Sequence, residues 1–285
     1  MTSTVPARHD EQPSPGRTRV LVLSTAAFTT MFAVWLMFGI LGIPIRDEFG
    51  LTDVQLSWLT AVAVLNGSMW RLPAGMITDR IGGRKVFVLL LLASAVPTYL
   101  VSQAQSYGLL LALAFLVGFA GNSFSAGVSW NSAWFPRNRQ GFALGVFGAG
   151  NVGASVTKFI GPALIAGTAG TVLLGGFVTG GWRLIPVIYS VALLLTAVTL
   201  WFICPSPDRK PASGRRLVDQ LGPIKEARAW RFSLYYVAVF GAYVALSAWM
   251  PKYYVDTFGV ETATAALLTA TFIFPASLLR PFGGI

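Results

Sequence analysis

The sequence predicts an all-α membrane protein, and three observations carry that expectation. Only 11% of its 285 residues are charged and 54% are hydrophobic, for a mean hydropathy of +0.65; a soluble domain carries about 25% charged residues. Apolar runs recur at about twenty residues, the length that crosses a bilayer as a helix. Nearly all the charges lie between those runs. A transmembrane barrel would show alternating segments of about ten residues, and these are absent.

Residues 1–19 hold Pro6, Pro13 and Pro15 among polar neighbours, a composition that buries no core and is expected to be disordered. The segment is too polar, and the run after it too long, for a cleaved signal peptide. Six apolar helices are then expected at 20–43, 54–78, 86–103, 109–134, 140–167 and 182–203, forming one bundle over 20–203. The polar, Pro-rich linker 204–231 contains CPSPDRKPASGRR. Two more helices, 232–254 and 262–280, begin a second bundle, 232–285, which reads as truncated.

The net charge of +10 raises the question of a nucleic-acid partner, and the placement of the charges argues against one. Fifteen of the 21 Lys and Arg fall on one side: in the tail (Arg8, Arg17, Arg19), the loop after helix two (Arg80, Arg84, Lys85), the loop after helix four (Arg137, Arg139) and the linker (Arg209, Lys210, Arg215, Arg216, Lys225, Arg228, Arg231). The opposite loops hold Arg46, Arg183 and Lys252. This bias places the N-terminus and linker in the cytoplasm, with anionic lipid headgroups as the partner for the basic linker. Cys204 stands alone, so no intrachain disulfide forms, and at a helix end it reads as inert packing. His9 is solitary in the tail, and without a Cys/His cluster metal chemistry is excluded. No cofactor motif stands.

Three basic residues remain inside the apolar runs: Arg71, Lys158 and Arg280. All eleven acids fall in tails, loops or helix ends. A buried cation needs a partner, and here the partners left are backbone, hydroxyls, water or an anionic substrate. Lys158, far along helix five, is expected to snorkel toward the outer interface. Arg71 and Arg280 are related by a repeat at an offset of 209 residues. Ser68, Arg71 and Gly75 align with Ser277, Arg280 and Gly284; Phe49-Gly50-Leu51 aligns with Phe258-Gly259-Val260, and Leu59-Thr60-Ala61 with Leu268-Thr269-Ala270. Helices one and two thus correspond to seven and eight in the same orientation. Six helices, a long linker and a restart is the plan of a transporter with two six-helix halves.

The stretch Gly75-x3-Asp79-Arg80-x-Gly82-Gly83-Arg84-Lys85 resembles the signature loop between helices two and three of the major facilitator superfamily. FAVWLMFGILGIPI, GSMWRLPAGMITDRIGGR, GNSFSAGVSWNSAWFPRNRQG, GVFGAGNVGASVTKF and LLRPFGG narrow the resemblance to its nitrate/nitrite porter branch. That resemblance implies secondary transport of nitrate or nitrite across the cytoplasmic membrane, and no enzyme. It implies that Arg71 and Arg280 clamp the anion from opposite halves and that Asn151 is the signature asparagine of helix five. Phe124, Tyr236 and Phe240 become the aromatics around the ion. Gly75, Asp79, Arg80, Gly82, Gly83 and Arg84 become a gating loop. A planar guanidinium suits planar nitrate better than an ammonium does. Protons are a candidate coupling ion.

Rival readings are a carrier for another small anion, such as an organic acid or phosphate ester, and a membrane-embedded enzyme or sensor. The latter would need a catalytic constellation or output domain, and neither is visible. Gly148-Ala149-Gly150-Asn151-Val152-Gly153 also spells G-x-G-x-x-G. A dinucleotide site needs a preceding strand, whereas here the run lies in a membrane helix and reads as close packing. Trp35, Trp130, Trp134, Trp182 and Trp201 read as belt or packing residues.

Overall fold

In the computed structural model, which describes residues 16–210 and 221–284, eight helical rods follow one another. We number them α1 (Arg17–Phe49), α2 (Asp53–Met69 continued by Arg71–Ile81), α3 (Gly83–Ser102), α4 (Tyr107–Trp134), α5 (Arg137–Gly148 continued by Gly153–Thr168), α6 (Gly181–Ile203), α7 (Ala227–Phe258) and α8 (Thr262–Gly284). Six are long and apolar enough to cross a membrane; α2 and α5, which hold Arg71 and Lys158, are not among those six. The short strands Val172–Leu173 and Val178–Thr179 pair antiparallel between α5 and α6, a hairpin the sequence did not announce. We call that end of the bundle the hairpin face and the opposite end the linker face.

The rods lie where the apolar runs place them, but their ends differ. Residues 17–19 and 227–231, expected in the tail and the linker, are helical, and α1 continues past residue 43 through Arg46, Asp47 and Glu48. Hydropathy marks where lipid ends, whereas backbone hydrogen bonds carry a helix on into water. Most of the expected disordered tail and part of the linker lie outside the described residues.

Local chemistry sets the turns. Gly50 closes α1 in the left-handed conformation, φ 60°, and Gly259 closes α7 the same way, φ 63°; glycine enters that region without a Cβ penalty. Thr52 and Gln55 form a reciprocal capping box at the start of α2.

α1 runs through the middle of the bundle. Phe28, Met31, Phe32, Trp35, Met37 and Ile40 are all buried. α5 crosses it closely at Gly153, where a Cβ would lie 2.0 Å from the Thr29 carbonyl oxygen. Small residues permit such approaches between membrane helices.

Five rods are interrupted along their length, and a sixth, α8, changes form near its end. α1 turns at Leu36–Met37 and α2 at Trp70; α4 tightens to a 3-10 turn at Gly118–Asn122 and α5 at Ala149–Val152; α7 widens to a π-turn at Val237–Gly241, and α8 ends its α-helical part at Leu278. α3 runs unbroken. Irregular backbone at membrane depth is tolerated where protein or a polar cavity satisfies it.

Cys204, just beyond α6, is 5% exposed, and burial with neighbouring Asp208 pushes its thiol up to about 12. The packing role expected of it is consistent with this. Two outcomes follow. Gly153→Ala lowers the melting temperature, overpacking costing about 1–3 kcal/mol, while Gly108→Ala, with open space around its Cβ, leaves the melt unchanged. Maleimide at pH 8 labels Cys204 at least about a hundredfold more slowly than a free thiol, the thiolate being the reactive form, and labels it fully after denaturation.

Candidate functional site

The two arginines sit at equivalent breaks. In α2 the Trp70 amide reaches back to the carbonyls of Asn66 and Ser68, and Arg71 opens the next helical piece. In α8 the Leu279 amide reaches back to Pro275 and Ser277, and Arg280 opens a 3-10 turn. Each position is the other plus 209, so the repeat extends to the backbone hydrogen bonds. A break exposes backbone acceptors: Arg71 Nε donates to the Gly67 carbonyl at 3.0 Å.

The aromatic residues named from the sequence converge on these arginines. The Arg71 guanidinium carbon lies 5.3 Å from the Phe240 ring centre, 5.8 Å from Phe124 and 5.5 Å from Trp35. The Arg280 carbon lies 5.9 Å from Phe240 and 5.8 Å from Tyr243. Both therefore flank Phe240, and the sum of the two distances limits their separation to about 11 Å. Phe124, Tyr236 and Phe240 stack on one another, with centres 6.0, 6.1 and 4.9 Å apart. Tyr236 lies beside both arginines. Among the described residues no carboxylate pairs with either arginine. Their charge is met by π faces, each contributing about 0.5–2 kcal/mol, and by neutral oxygens.

Asn151, fully buried in the 3-10 turn of α5, belongs to this set. With its carboxamide oxygen turned to Arg280, it accepts from both terminal guanidinium nitrogens at 2.8 and 2.7 Å; the amide orientation is assigned from these partners. Two neighbours were not named as site residues from the sequence, where aromatics abound. Tyr243 bonds Ser277 Oγ at 3.0 Å and donates to the Asn151 carbonyl at 3.4 Å, tying α7 to α8 and α5. Trp35, read as packing, is indeed buried and donates to the Ala63 carbonyl at 2.9 Å, but its ring also walls Arg71.

The loop after α2 is held mainly within the first six helices. Asp79 accepts from the Ser129 hydroxyl. Gly82, φ 94°, and Gly83 bring the chain against Trp130 and Asp208. Asp208 accepts the Arg84 amide at 2.9 Å and the indole N–H groups of Trp130 and Trp134 at 2.9 and 3.0 Å. The Arg84 side chain covers Trp201, Arg80 is exposed, and Gly75 faces Ser125.

At the hairpin face, charges join the two repeats. Arg46 approaches Asp256 at 3.5 Å, and Lys252 approaches Asp53 at 3.1 Å. Lys158 does not reach that face. It is 1% exposed, and its Nζ donates to the Ala154 carbonyl at 3.2 Å, one turn toward the middle of α5. The expected snorkelling is therefore wrong: the helices packed on α5 close the outward path.

The family model described as the Major Facilitator Superfamily matches residues 23–285. The chain is 67% identical over 274 residues to a probable nitrate/nitrite antiporter NarK1 of Thermus thermophilus, covering 96% of this chain and 62% of that protein. It is 32% identical to a probable nitrate/nitrite transporter NarK2 of Mycobacterium tuberculosis, over 94% of this chain and 66% of the relative. It is 30% identical to a nitrite extrusion protein of Bacillus subtilis, over 93% and 64%. The chain thus spans less than two thirds of the length of these relatives. A crystal structure of a bacterial homolog to the human lysosomal transporter Spinster, inward-facing and unoccupied, superposes with a TM-score of 0.74 at 22% identity, over 93% of this chain and 61% of that one, a likeness of fold.

Asp208 gathers three N–H donors in one carboxylate. Asp208→Ala leaves two buried indoles and the Arg84 amide without that acceptor, and lowers stability by about 1–3 kcal/mol. A thermal melt in detergent checks this; an unchanged melt would show that water replaces the carboxylate.

Proposed function

This chain belongs to the Major Facilitator Superfamily, and from that premise we propose that it is part of a secondary transporter carrying nitrate and nitrite across the cytoplasmic membrane by alternating access. In this reading residues 20–203 form the first six-helix half, 204–231 the cytoplasmic linker, and 232–285 the start of the second half. The charge asymmetry orients the linker face to the cytoplasm.

One observation carries the proposal: two repeat-related arginines share the Phe240 ring, with no carboxylate beside either among the described residues. At an effective dielectric of about 20, unit charges about 10 Å apart repel by about 1.7 kcal/mol, whereas an anion within about 4 Å of each gains about 4 kcal/mol from each. The anion's attraction outweighs the repulsion, so binding draws together groups that otherwise push apart. Arg71 comes from the first repeat and Arg280 from the second, so that attraction acts between halves and couples to closure.

The aromatics set what fits. A planar ion needs contacts of about 3.5 Å on each face, about 7 Å in all, and Phe124 and Phe240 stand 6.1 Å apart. The rings must part by about 1 Å, which suits flat nitrate or bent nitrite and disfavours a phosphate ester. No bond in the substrate is made or broken. The names of the relatives, nitrate and nitrite carriers, support the same reading.

Arg71→Lys or Arg280→Lys in the full-length protein weakens nitrate binding by at least about tenfold, because the forked, planar donor set is lost. Isothermal titration and uptake into proteoliposomes measure this, with nitrite, formate and phosphate as competitors. Wild-type nitrate affinity in both variants would sink the two-arginine site. Competition by phosphate esters rather than nitrite would move the substrate to the other class of anion.

A further inference from the structure

Lys158 is unused by the site just described, yet it keeps an ionisable amine inside the bundle, away from either face. Among the described residues its amine has one hydrogen-bond partner, the Ala154 carbonyl, and it is 1% exposed. A charge there costs several kcal/mol in desolvation, and an ionisable residue kept at membrane depth is a functional candidate by default.

Two buried hydroxyls at its level of the bundle are unsatisfied. Ser155 and Ser247 are fully buried, and among the described residues neither hydroxyl has a hydrogen-bond partner. Lys158 lies seven residues past Asn151 on α5, and Ser247 seven past Phe240 on α7, about 10 Å at the helical rise. Both helices run from the linker face to the hairpin face, so both residues lie at one level outward of the arginines. Tyr243, one turn before Ser247, already touches α5 at the Asn151 carbonyl.

The direction of Lys158 follows from its neighbours. Thr157 contacts Ala33 of α1 and Tyr189 of α6, and Phe159 contacts Phe274 of α8. At about 100° per residue, Lys158 lies between those two directions. Seven residues also bring it close to the azimuth of Asn151, which faces Arg280. It therefore points into the seam between the first six helices and α7–α8. The charged groups nearest along that seam are the arginine pair inward and Arg46, Asp53, Lys252 and Asp256 at the hairpin face, where the acids are already paired.

We propose that Lys158, with Ser155 and Ser247, forms a second, weaker station for the transported anion, about 10 Å outward of the arginine pair. The inference rests on the anion-transport reading above. A lysine is a compact, strongly hydrated point charge without a fork, so it attracts a monovalent anion without fixing its plane. A station on a permeation path must bind well enough to fill and weakly enough to empty. The hydroxyls supply donors that an ion passing through would otherwise miss.

The test uses the full-length protein with nitrate and nitrite as probes, comparing wild type, Lys158→Met and Lys158→Arg. Lys158→Met removes a buried charge at nearly constant volume, so its melting temperature equals or exceeds that of wild type. It binds nitrate in detergent within about twofold of wild type, yet its maximal nitrate/nitrite exchange in proteoliposomes falls by about tenfold, and Lys158→Arg recovers most of that rate. Exchange at the wild-type rate in Lys158→Met would overturn the station. A large drop in its melting temperature would make Lys158 structural, and loss of nitrate binding would place it in the arginine site; both overturn the proposal. Wild type that binds neither ion would sink the transport reading itself. Wild type that binds while the variants match it sinks the station alone.

Discussion

Two guanidinium groups sharing one aromatic ring, in an interior without a paired carboxylate among the described residues, are the constraint around which this structure is arranged. A charge at that depth needs compensation from its surroundings. Here it comes from the faces of Phe240, Phe124, Trp35 and Tyr243, from a buried carboxamide and from a carbonyl freed at a helix break. None of these is an ion. The arginines are held in place while their charge stays unneutralised, the condition that leaves an anion something to gain.

The helix breaks serve the same end. An unbroken α-helix spends its carbonyls on itself, and the Gly67 carbonyl reaches Arg71 only beside the turn at Trp70. The 3-10 turn of α5 presents Asn151, and the π-turn of α7 carries Phe240 inward. By contrast α3, which contributes no site residue, runs straight. Broken and straight helices are thus partitioned between those that gather at the two arginines and those, such as α3, that brace them.

Much of this was legible in the residues. The offset of 209 paired the arginines, and the structure repeats that pairing in the capping glycines Gly50 and Gly259 and in the amides of Trp70 and Leu279. Apolar runs marked the helices because charge is expensive in lipid, and Arg46 and Lys252, sorted apart from the linker charges, do meet acids at the hairpin face. What stayed hidden depended on neighbours distant in sequence. Lys158 was assigned to the interface because its position along α5 says nothing about which helices close over it. Asp208 passed as an ordinary linker acid because Trp130 and Trp134 are more than seventy residues away. Tyr243 and Trp35 looked like two more aromatics in a chain where 13% of residues are aromatic, and only their distance from a guanidinium separates them from the rest.

α5 then links packing to mechanism. Its first part lies against the end of α8, where a Cβ on Gly141 would stand 2.6 Å from the Gly284 carbonyl oxygen and one on Gly145 would meet the backbone of Arg280. Its later part lies against α1, through Gly150 and Gly153. The same helix thus meets the end of α8 by bare backbone near its start and α1 closely near its middle, with Asn151 on Arg280 there and Phe159 against Phe274 of α8 further on. Glycine contacts hold helices close by dispersion while locking few side chains together. Along these glycine stretches α5 and its neighbours have few interlocked side chains to unpick. Asn151 with Arg280 is a directional contact on this helix, so under the proposed transport reading an anion at Arg280 would act beside the surface on which α5 and α8 meet.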